Sequence, residues 1–216
     1  GLIDHSADWT ESMKRQFLHD GHKLKTIDYV NLVRRCGFGV PNLDRALYSL
    51  SNALTLIVED EFSPFHKLKN AASYNAMRFY NLPWPREELS DLGKTPVELR
   101  ATLSYFIEPN PSSRARTRYR YESHGLRFRF RRKGESQSHF MTRINAAIEK
   151  SEEDQIDETT RVDEGWLLGS NARTRGSLHS DIWRGRAADL AERGVLAVYP
   201  TAGWWKTRES LEKYDS

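Results

Sequence analysis

The feature that most constrains the fold is a strict alternation of apolar and polar residues in the segment PVELRATLSY, residues 96–105. Its apolar residues all lie at odd positions: Val97, Leu99, Ala101, Leu103 and Tyr105. Side chains of a β-strand point alternately to opposite faces, so this period of two predicts a strand with one buried face. The two prolines of EPNP end the pattern.

Similar reasoning predicts the other elements. Alternating or β-branched runs predict strands in ALTLIVEDEF (53–62), NAMRFYNLP (75–83), LRFRFR (126–131) and VLAVYP (195–200). Helical spacing predicts helices in residues 2–18, 28–35, 43–50, 86–92, 136–150 and 187–193. Asn42 is expected to cap the third of these helices, and Asp8 or Thr10 a second short helix near the start. The turn DGHK (20–23) separates the first two.

Composition limits the classes of protein that fit this chain of 216 residues. Six Trp, nine Tyr and nine Phe indicate a packed core, and a net charge of +3 does not demand a polyanionic partner. Cys36 is the only cysteine, so an internal disulfide is excluded. No apolar run approaches the ~20 residues of a membrane helix. The acidic stretch at about 151–164 is predicted to be a mobile loop.

An arginine-rich region leaves two interpretations open. Arg127, Arg129 and Arg131 alternate with Leu126, Phe128 and Phe130. Basic and aromatic side chains in alternation suit single-stranded nucleic acid. The same alternation is typical of a half-solvated strand, and the nearly balanced net charge favours that interpretation.

The stretch RGSLHSDIWRG contains the three residue types of a serine-hydrolase triad, at Ser177, His179 and Asp181. A triad is recognised by its geometry and its oxyanion hole, which a five-residue run does not supply. The spacing therefore favours a polar loop or strand edge that leads into Trp183.

Other catalytic patterns are absent from the sequence. There is no G-x-S-x-G elbow, no glycine-rich phosphate loop, no HExxH and no paired cysteines. His19 and His22 flank a turn but lack a third ligand, and the acidic cluster 59–61 is explained equally well by a strand end in water. We therefore predict no metal and no cofactor.

Two segments resemble the end of the catalytic domain of subtilisin-like serine peptidases. In CGFGVPNLDRAL, the positions that look like the G-x-G-x-V/P stretch before that domain's last helix are Gly37, Gly39, Val40, Asn42 and Ala46. GLIDHSADW resembles the helix that comes after the helix of the catalytic serine, although Asp4 stands at a position that is usually apolar. The chain also begins inside an amphipathic pattern without Met, so we expect it to be part of a longer protein.

The rest of the chain resembles the C-terminal region of one bacterial branch of these S8-family peptidases. The matching blocks are LPWPREELSDLG, VELRATLSYFIEPNP, YRYESHGLRF, RGSLHSDIWRGRAADLAERGVLAVYP and GWWK. The resemblance implies residues 1–62 as the tail of a subtilisin-like α/β domain and residues 63–216 as a jelly-roll-like β-sandwich. The expected fold class is thus α+β, mainly β. The resemblance further implies a cytoplasmic protein, a protein or peptide substrate and an AAA-type ATPase as partner.

The family's catalytic motifs, D-S/T-G, H-G-T/S-x-V-A-G and G-T-S-x-A-x-P, are absent. His124–Gly125 lacks the residues that follow the family histidine, and VDEG at 162–165 lacks a preceding strand. The resemblance implies that this chain is not itself catalytic and that it stabilises the protease domain or docks a substrate or partner. A surface for the protease body or a partner is predicted at Ser177, His179, Asp181, Trp183, Trp204 and Trp205.

Two other function classes remain open. One is a nucleic-acid-binding module built on the arginine and aromatic strands. The other is a carbohydrate-binding β-sandwich that uses Trp166, Trp183, Trp204 and Trp205 as stacking platforms.

Overall fold

The structure is a computed structural model that describes residues 1–17, 25–51, 55–68, 71–75, 77–110, 121–152, 165–173 and 176–207. The helices are α1 Leu2–Ser6, α2 Glu11–Phe17, α3 Thr26–Cys36, α4 Leu43–Ser51, α5 Arg86–Asp91, α6 Gln137–Glu152, α7 Gly169–Ala172 and α8 Ala187–Ala191. The strands are β1 Phe65–Leu68, β2 Ala71–Tyr74, β3 Arg78–Asn81, β4 Pro96–Ser104, β5 Gly125–Phe130, β6 Leu178–Arg186 and β7 Val195–Thr201. A 3₁₀ helix, Trp204–Thr207, follows β7.

The strands form antiparallel sheets. One sheet has the order β3-β7-β5, and a second pairs β4 with β6 along the whole of both strands, from Pro96 opposite Arg186 to Ser104 opposite Leu178. A small hairpin joins β1 and β2. The chain is therefore a mixed α and β structure. Helices contain more of the described residues than strands do, which corrects the expectation of a mainly β chain. Much of this helix content comes from α6 and from the four helices before β1.

The principal core contains residues from both of the larger sheets. Its buried members include Phe128 and Phe130 of β5, Trp183 of β6 and Val198 of β7. Five partly buried residues from β4 and its continuation pack against it: Val97, Leu99, Ala101, Leu103 and Tyr105. These are the odd-numbered residues of the sequence pattern, so the prediction of this strand and of its buried face is confirmed.

A second core lies between α6 and β7. Phe140, Ile144 and Ala147 from the helix pack against Val195, Ala197 and Tyr199. The spacing i, i+4, i+7 places the three α6 side chains on one face, as the sequence predicted. Strand β7 thus contributes alternate residues to two cores.

The N-terminal segment, α1 to α4, is attached to the outer side of β4. Arg100 Nη1 donates to the backbone oxygen of Ala7 at 2.5 Å, and His5 Nδ1 lies 3.1 Å from Thr102 Oγ1. Within this segment the predicted cap is confirmed, because Arg45 N donates to Asn42 Oδ1 at 2.8 Å.

The predicted strand in ALTLIVEDEF is wrong for residues 55–62, which are irregular. A β-branched run becomes a strand only where another strand completes its hydrogen-bond ladder, and none is described beside it. Leu56, Ile57 and Val58 are consequently exposed. The predicted turn at 20–23 and most of the acidic loop, 153–164, lie outside the described residues.

Candidate functional site

The segment with triad-like composition forms the first half of β6. Ser177 precedes the strand, and its carbonyl oxygen accepts a hydrogen bond from Tyr105 N at 3.0 Å. His179 lies opposite Leu103, and Asp181 lies opposite Ala101. Both polar side chains are buried, at 3% and 2% exposure. The strand period therefore brings them to one face, where they meet core residues rather than a substrate groove.

Asp181 has its carboxylate oxygens occupied by structural partners. Oδ1 accepts from Leu168 N at 3.0 Å and Ile182 N at 2.8 Å, and Oδ2 accepts from Gly169 N at 2.9 Å. Arg173 Nε lies 3.6 Å from Oδ2. Burial raises the pKa of Asp181, and the positive charge of Arg173 opposes that rise. This aspartate anchors the segment 165–173 to β6 instead of orienting His179.

The guanidinium group of Arg173 is itself buried between aromatic rings. Its Cζ lies 4.4 Å from the ring centroid of Phe128 and 4.7 Å from that of Trp166. Such contacts between a cation and a π-face partly replace the water that burial removes. The ion pair and its aromatic surroundings thus join the segment 165–173 to two different sheets.

His179 belongs to a row of four rings, here named the aromatic stack: His179, Tyr105, His124 and Trp205. Consecutive centroids are 5.9, 5.6 and 5.2 Å apart. His179 Nε2 also lies 3.3 Å from Tyr105 Oη. Burial lowers the pKa of His124 and of His179 to about 4, with Arg127 and Arg173 adding to the effect at His179. Both imidazoles are therefore neutral at pH 7.

Ser123 and His124 form a serine–histidine contact that the sequence analysis did not single out. Ser123 Oγ lies 3.0 Å from His124 Nδ1 and accepts a hydrogen bond from Glu108 N at 2.9 Å. Ser123 is completely buried. A nucleophile must be reached by its substrate, so this contact is structural.

Trp204 and Trp205 both donate hydrogen bonds to Glu108, whose backbone N–H donates to Ser123. Trp204 Nε1 donates to the backbone oxygen of Glu108 at 3.0 Å, and Trp205 Nε1 donates to Glu108 Oε2 at 2.9 Å. Both indoles are half-buried. The WW dipeptide was the sequence signal for this contact, but nothing in the sequence indicated Glu108 as its acceptor.

Ser180, the other serine in the stretch, is linked to the N-terminal segment through Thr102 of β4. Its Oγ lies 3.0 Å from Thr102 Oγ1, which in turn contacts His5. Burial lowers the pKa of His5, and the positive charges of Arg100 and Arg45 lower it further. The chain of hydroxyl groups links α1 to β4 and β6 and leaves Ser180 buried.

Four residues on which the proposed resemblance rests, Gly37, Gly39, Val40 and Asn42, lie where α1 and α4 are joined. Asp8 and Val40 exchange both backbone hydrogen bonds, at 3.0 and 2.9 Å. Gly39 has φ of +100°, and a Cβ there would collide with the backbone oxygen of Asp8. Gly37 follows α3 and donates to Val33 O, while Asn42 N donates to Ser6 Oγ at 3.3 Å. The motif therefore positions α4 against α1.

Two of the predicted surface tryptophans belong to the core. Trp183 is 2% exposed, lies under the guanidinium of Arg193 at 5.0 Å, and forms an isolated bridge with Trp166, which is also buried. Neither ring has a free face for a partner or a sugar. Trp204 and Trp205 retain some exposure, and their role at an interface stays a prediction.

The arginines of β5 and Arg131, which follows this strand, are not a row of exposed cations. Arg129 is buried, and Arg127 and Arg131 are half-buried. Residues 111–120, which contain four more arginines, lie outside the described part.

The described residues were also compared with the requirements of a metal site and of a membrane-spanning helix. Across the part of the chain that the structure describes, no three His, Cys, Asp or Glu side chains are placed to hold a metal ion. His19 and His22 are outside that part. None of the described helices combines the length and apolar character needed to cross a membrane. No protein-family model, curated protein or solved structure matches this chain.

Proposed function

We propose that this chain is the non-catalytic C-terminal region of a subtilisin-like serine endopeptidase, where it stabilises the protease domain or docks a substrate or partner protein. The observation that carries the proposal is a set of exposed apolar residues in the part of the chain before β1, here named the N-terminal apolar surface. The sequence resemblance, which is a separate argument, implies that the same part of the chain is the end of a catalytic domain.

This N-terminal apolar surface is defined by large hydrophobic residues that are exposed in the structure: Ile3, Ile27, Val40, Leu43, Leu47, Tyr48, Leu56, Ile57 and Val58. Leu43 is 72% exposed and lies one helical turn before Leu47 on α4. Most exposed large hydrophobics of the described residues lie in the part of the chain before β1. Concentrated apolar exposure marks a surface that another protein body covers.

The arrangement of the polar clusters supports a non-catalytic role. Asp181 accepts three backbone hydrogen bonds, and each of the two histidines of the aromatic stack has a hydrogen-bond partner inside the protein. Peptide hydrolysis in the parent protein would then proceed through an acyl-enzyme on a serine upstream of this chain. The finer architecture that we propose for residues 63–216 is a β-sandwich, supported by the single core to which both larger sheets contribute.

The remaining attributes come from the resemblance alone. They are a cytoplasmic location, a protein or peptide substrate, and an AAA-type ATPase as partner. The two alternative functions have less support, because Trp166, Trp183 and Arg129 are buried and so do not contact a sugar or a nucleic acid.

The test is to recover the native polypeptide that contains this chain, using an antibody raised against it, and to label it with a fluorophosphonate that reacts with activated serines. We expect a longer polypeptide with a labelled serine in a G-T-S-x-A-x-P peptide. The isolated chain should remain unlabelled, with Ser177→Ala and Ser180→Ala variants as matched controls. An adduct on Ser177 or Ser180, or a native polypeptide without the upstream protease motifs, would overturn the proposal.

A further inference from the structure

The aromatic stack joins four parts of the chain at one end of the two larger sheets. Tyr105 follows β4, His124 precedes β5, His179 lies at the start of β6 and Trp205 lies in the 3₁₀ helix after β7. Displacement of any one ring removes a packing surface from the next. The stack therefore couples the ends of four strands.

Both imidazoles of the stack depend on neutral partners. The hydrogen bond of His124 goes to Ser123 Oγ, and that of His179 goes to Tyr105 Oη, with the carbonyl of Leu126 as a further acceptor near His179. In the described part of the chain, neither ring has an ion pair with a carboxylate. A proton on either ring would place a buried positive charge without an anionic partner.

The surrounding charges reinforce this arrangement. Arg127 from β5 and Arg173 from the segment before β6 face His179 and disfavour a second positive charge there. Asp181 is engaged by Arg173, and Glu108 accepts from Trp205. Glu122 acts on the Tyr105 side of the stack, and Lys206 lies over the ring of Tyr74. Asp181 and Glu108 are therefore each held by a partner other than the two imidazoles.

We propose that the aromatic stack is an acid-sensitive clasp: protonation of His124 and His179 releases the 3₁₀ helix from Glu108 and opens this end of the two sheets. The inference is independent of the proposed protease context, because it rests only on contacts within the chain.

The direction of the pH dependence follows from the shifted pKa values. An exposed histidine has a pKa near 6.5, whereas both rings in the closed clasp have a pKa of about 4. Above pH 6.5 both states are neutral and the clasp has its full stability. Between pH 6.5 and 4 the open state binds protons that the closed state does not, so the closed state loses stability as pH falls. At pH 5 each histidine shifts the equilibrium by about 30-fold.

The experiment compares urea unfolding of the 216-residue chain at pH 7.5 and pH 5.0 with that of His124→Gln, His179→Gln and the double variant. His139→Gln is the matched control, because His139 is exposed on α6. Between pH 7.5 and pH 5.0, the unfolding constants of the wild type and of His139→Gln should rise about 1000-fold more than that of the double variant, because each of the two histidines contributes about 30-fold. The double variant should lose that additional factor, whatever its stability at pH 7.5.

A second measurement on the unmodified chain covers the case in which the variants do not fold. Histidine Cε1–H resonances are followed by NMR as the pH is lowered from 7.5, over the range in which the chain is still folded. Besides His5, whose pKa is also lowered, two of the seven histidines should not titrate near pH 6.5. The proposal is overturned if at least six of the seven titrate near 6.5, or if the folded double variant keeps the wild-type pH dependence.

Discussion

At the residue scale, the buried ion pair of Asp181 and Arg173 attaches the segment 165–173 to β6. The carboxylate binds three backbone N–H groups, and the guanidinium lies between two aromatic rings. Removing one member of a buried ion pair is costly because the other charge then remains buried without its partner.

We expect Asp181→Ala to lower the free energy of unfolding by about 3–5 kcal/mol, since it removes the carboxylate that pairs with Arg173 and accepts from three backbone N–H groups. Urea denaturation monitored by tryptophan fluorescence measures this loss. Asp189→Ala is the control, because Asp189 pairs with Lys133 at the surface, and it should change stability little. Equal effects of the two substitutions would contradict a structural anchoring role for Asp181.

At the scale of elements, the exchange of hydrogen bonds between Asp8 and Val40 decides how α1 and α4 lie together. The exchange requires the backbone of residue 39 to approach that of residue 8 closely, which only glycine permits at this φ. A local sequence motif thus sets the contact between two helices that are distant in the chain.

We predict that Gly39→Ala destabilises the chain more than Gly134→Ala does. Both glycines have positive φ, but a Cβ at Gly134 meets nothing within 4 Å, whereas one at Gly39 meets the backbone of Asp8. Gly134→Ala should cost on the order of 1 kcal/mol for its backbone conformation alone. Gly39→Ala should add about 1 kcal/mol for each of the two hydrogen bonds that it separates.

The measurement is thermal unfolding together with amide hydrogen exchange at Asp8 and Val40. Faster exchange at these two amides in Gly39→Ala, and unchanged exchange in Gly134→Ala, is the expected result. If the two variants are equally stable, the close approach at Gly39 does not determine the contact between α1 and α4.

At the scale of the whole molecule, the uneven distribution of exposed apolar residues is the main feature. The two cores are formed by residues from β3 onwards together with Phe62 and Met77. The N-terminal apolar surface lies in the part of the chain before β1. In the isolated chain this surface is in contact with water and is expected to drive self-association.

We expect the double substitution Leu43→Glu/Leu47→Glu to reduce self-association of the isolated chain, because two adjacent leucines on one face of α4 become charged. The dissociation constant should rise at least about tenfold, given the apolar area removed from the contact. Sedimentation velocity over a range of concentrations measures the change. Leu92→Glu is the control, since Leu92 is an exposed leucine outside this surface. A similar effect of both would show that the surface is not specifically adhesive.

The extent of sequence-based prediction also depends on scale. Strand β4, helix α6 and the Asn42 cap were predictable because each depends on residues within a few positions of one another. The exposure of Leu56, Ile57 and Val58 could not be predicted, because a strand needs a neighbouring strand that the local sequence does not specify.

The sequence by itself determined the periodicity of the strands and helices, the absence of an internal disulfide and the lack of a complete catalytic motif. Only the tertiary structure decided what the polar residues of SLHSD contact. Asp181 meets Arg173, His179 meets Tyr105, and Ser180 meets Thr102, which lies 78 positions earlier in the chain. The reason is physical: periodicity arises from the backbone geometry of one element, whereas the environment of a buried polar group is created by segments that meet only when the chain has folded.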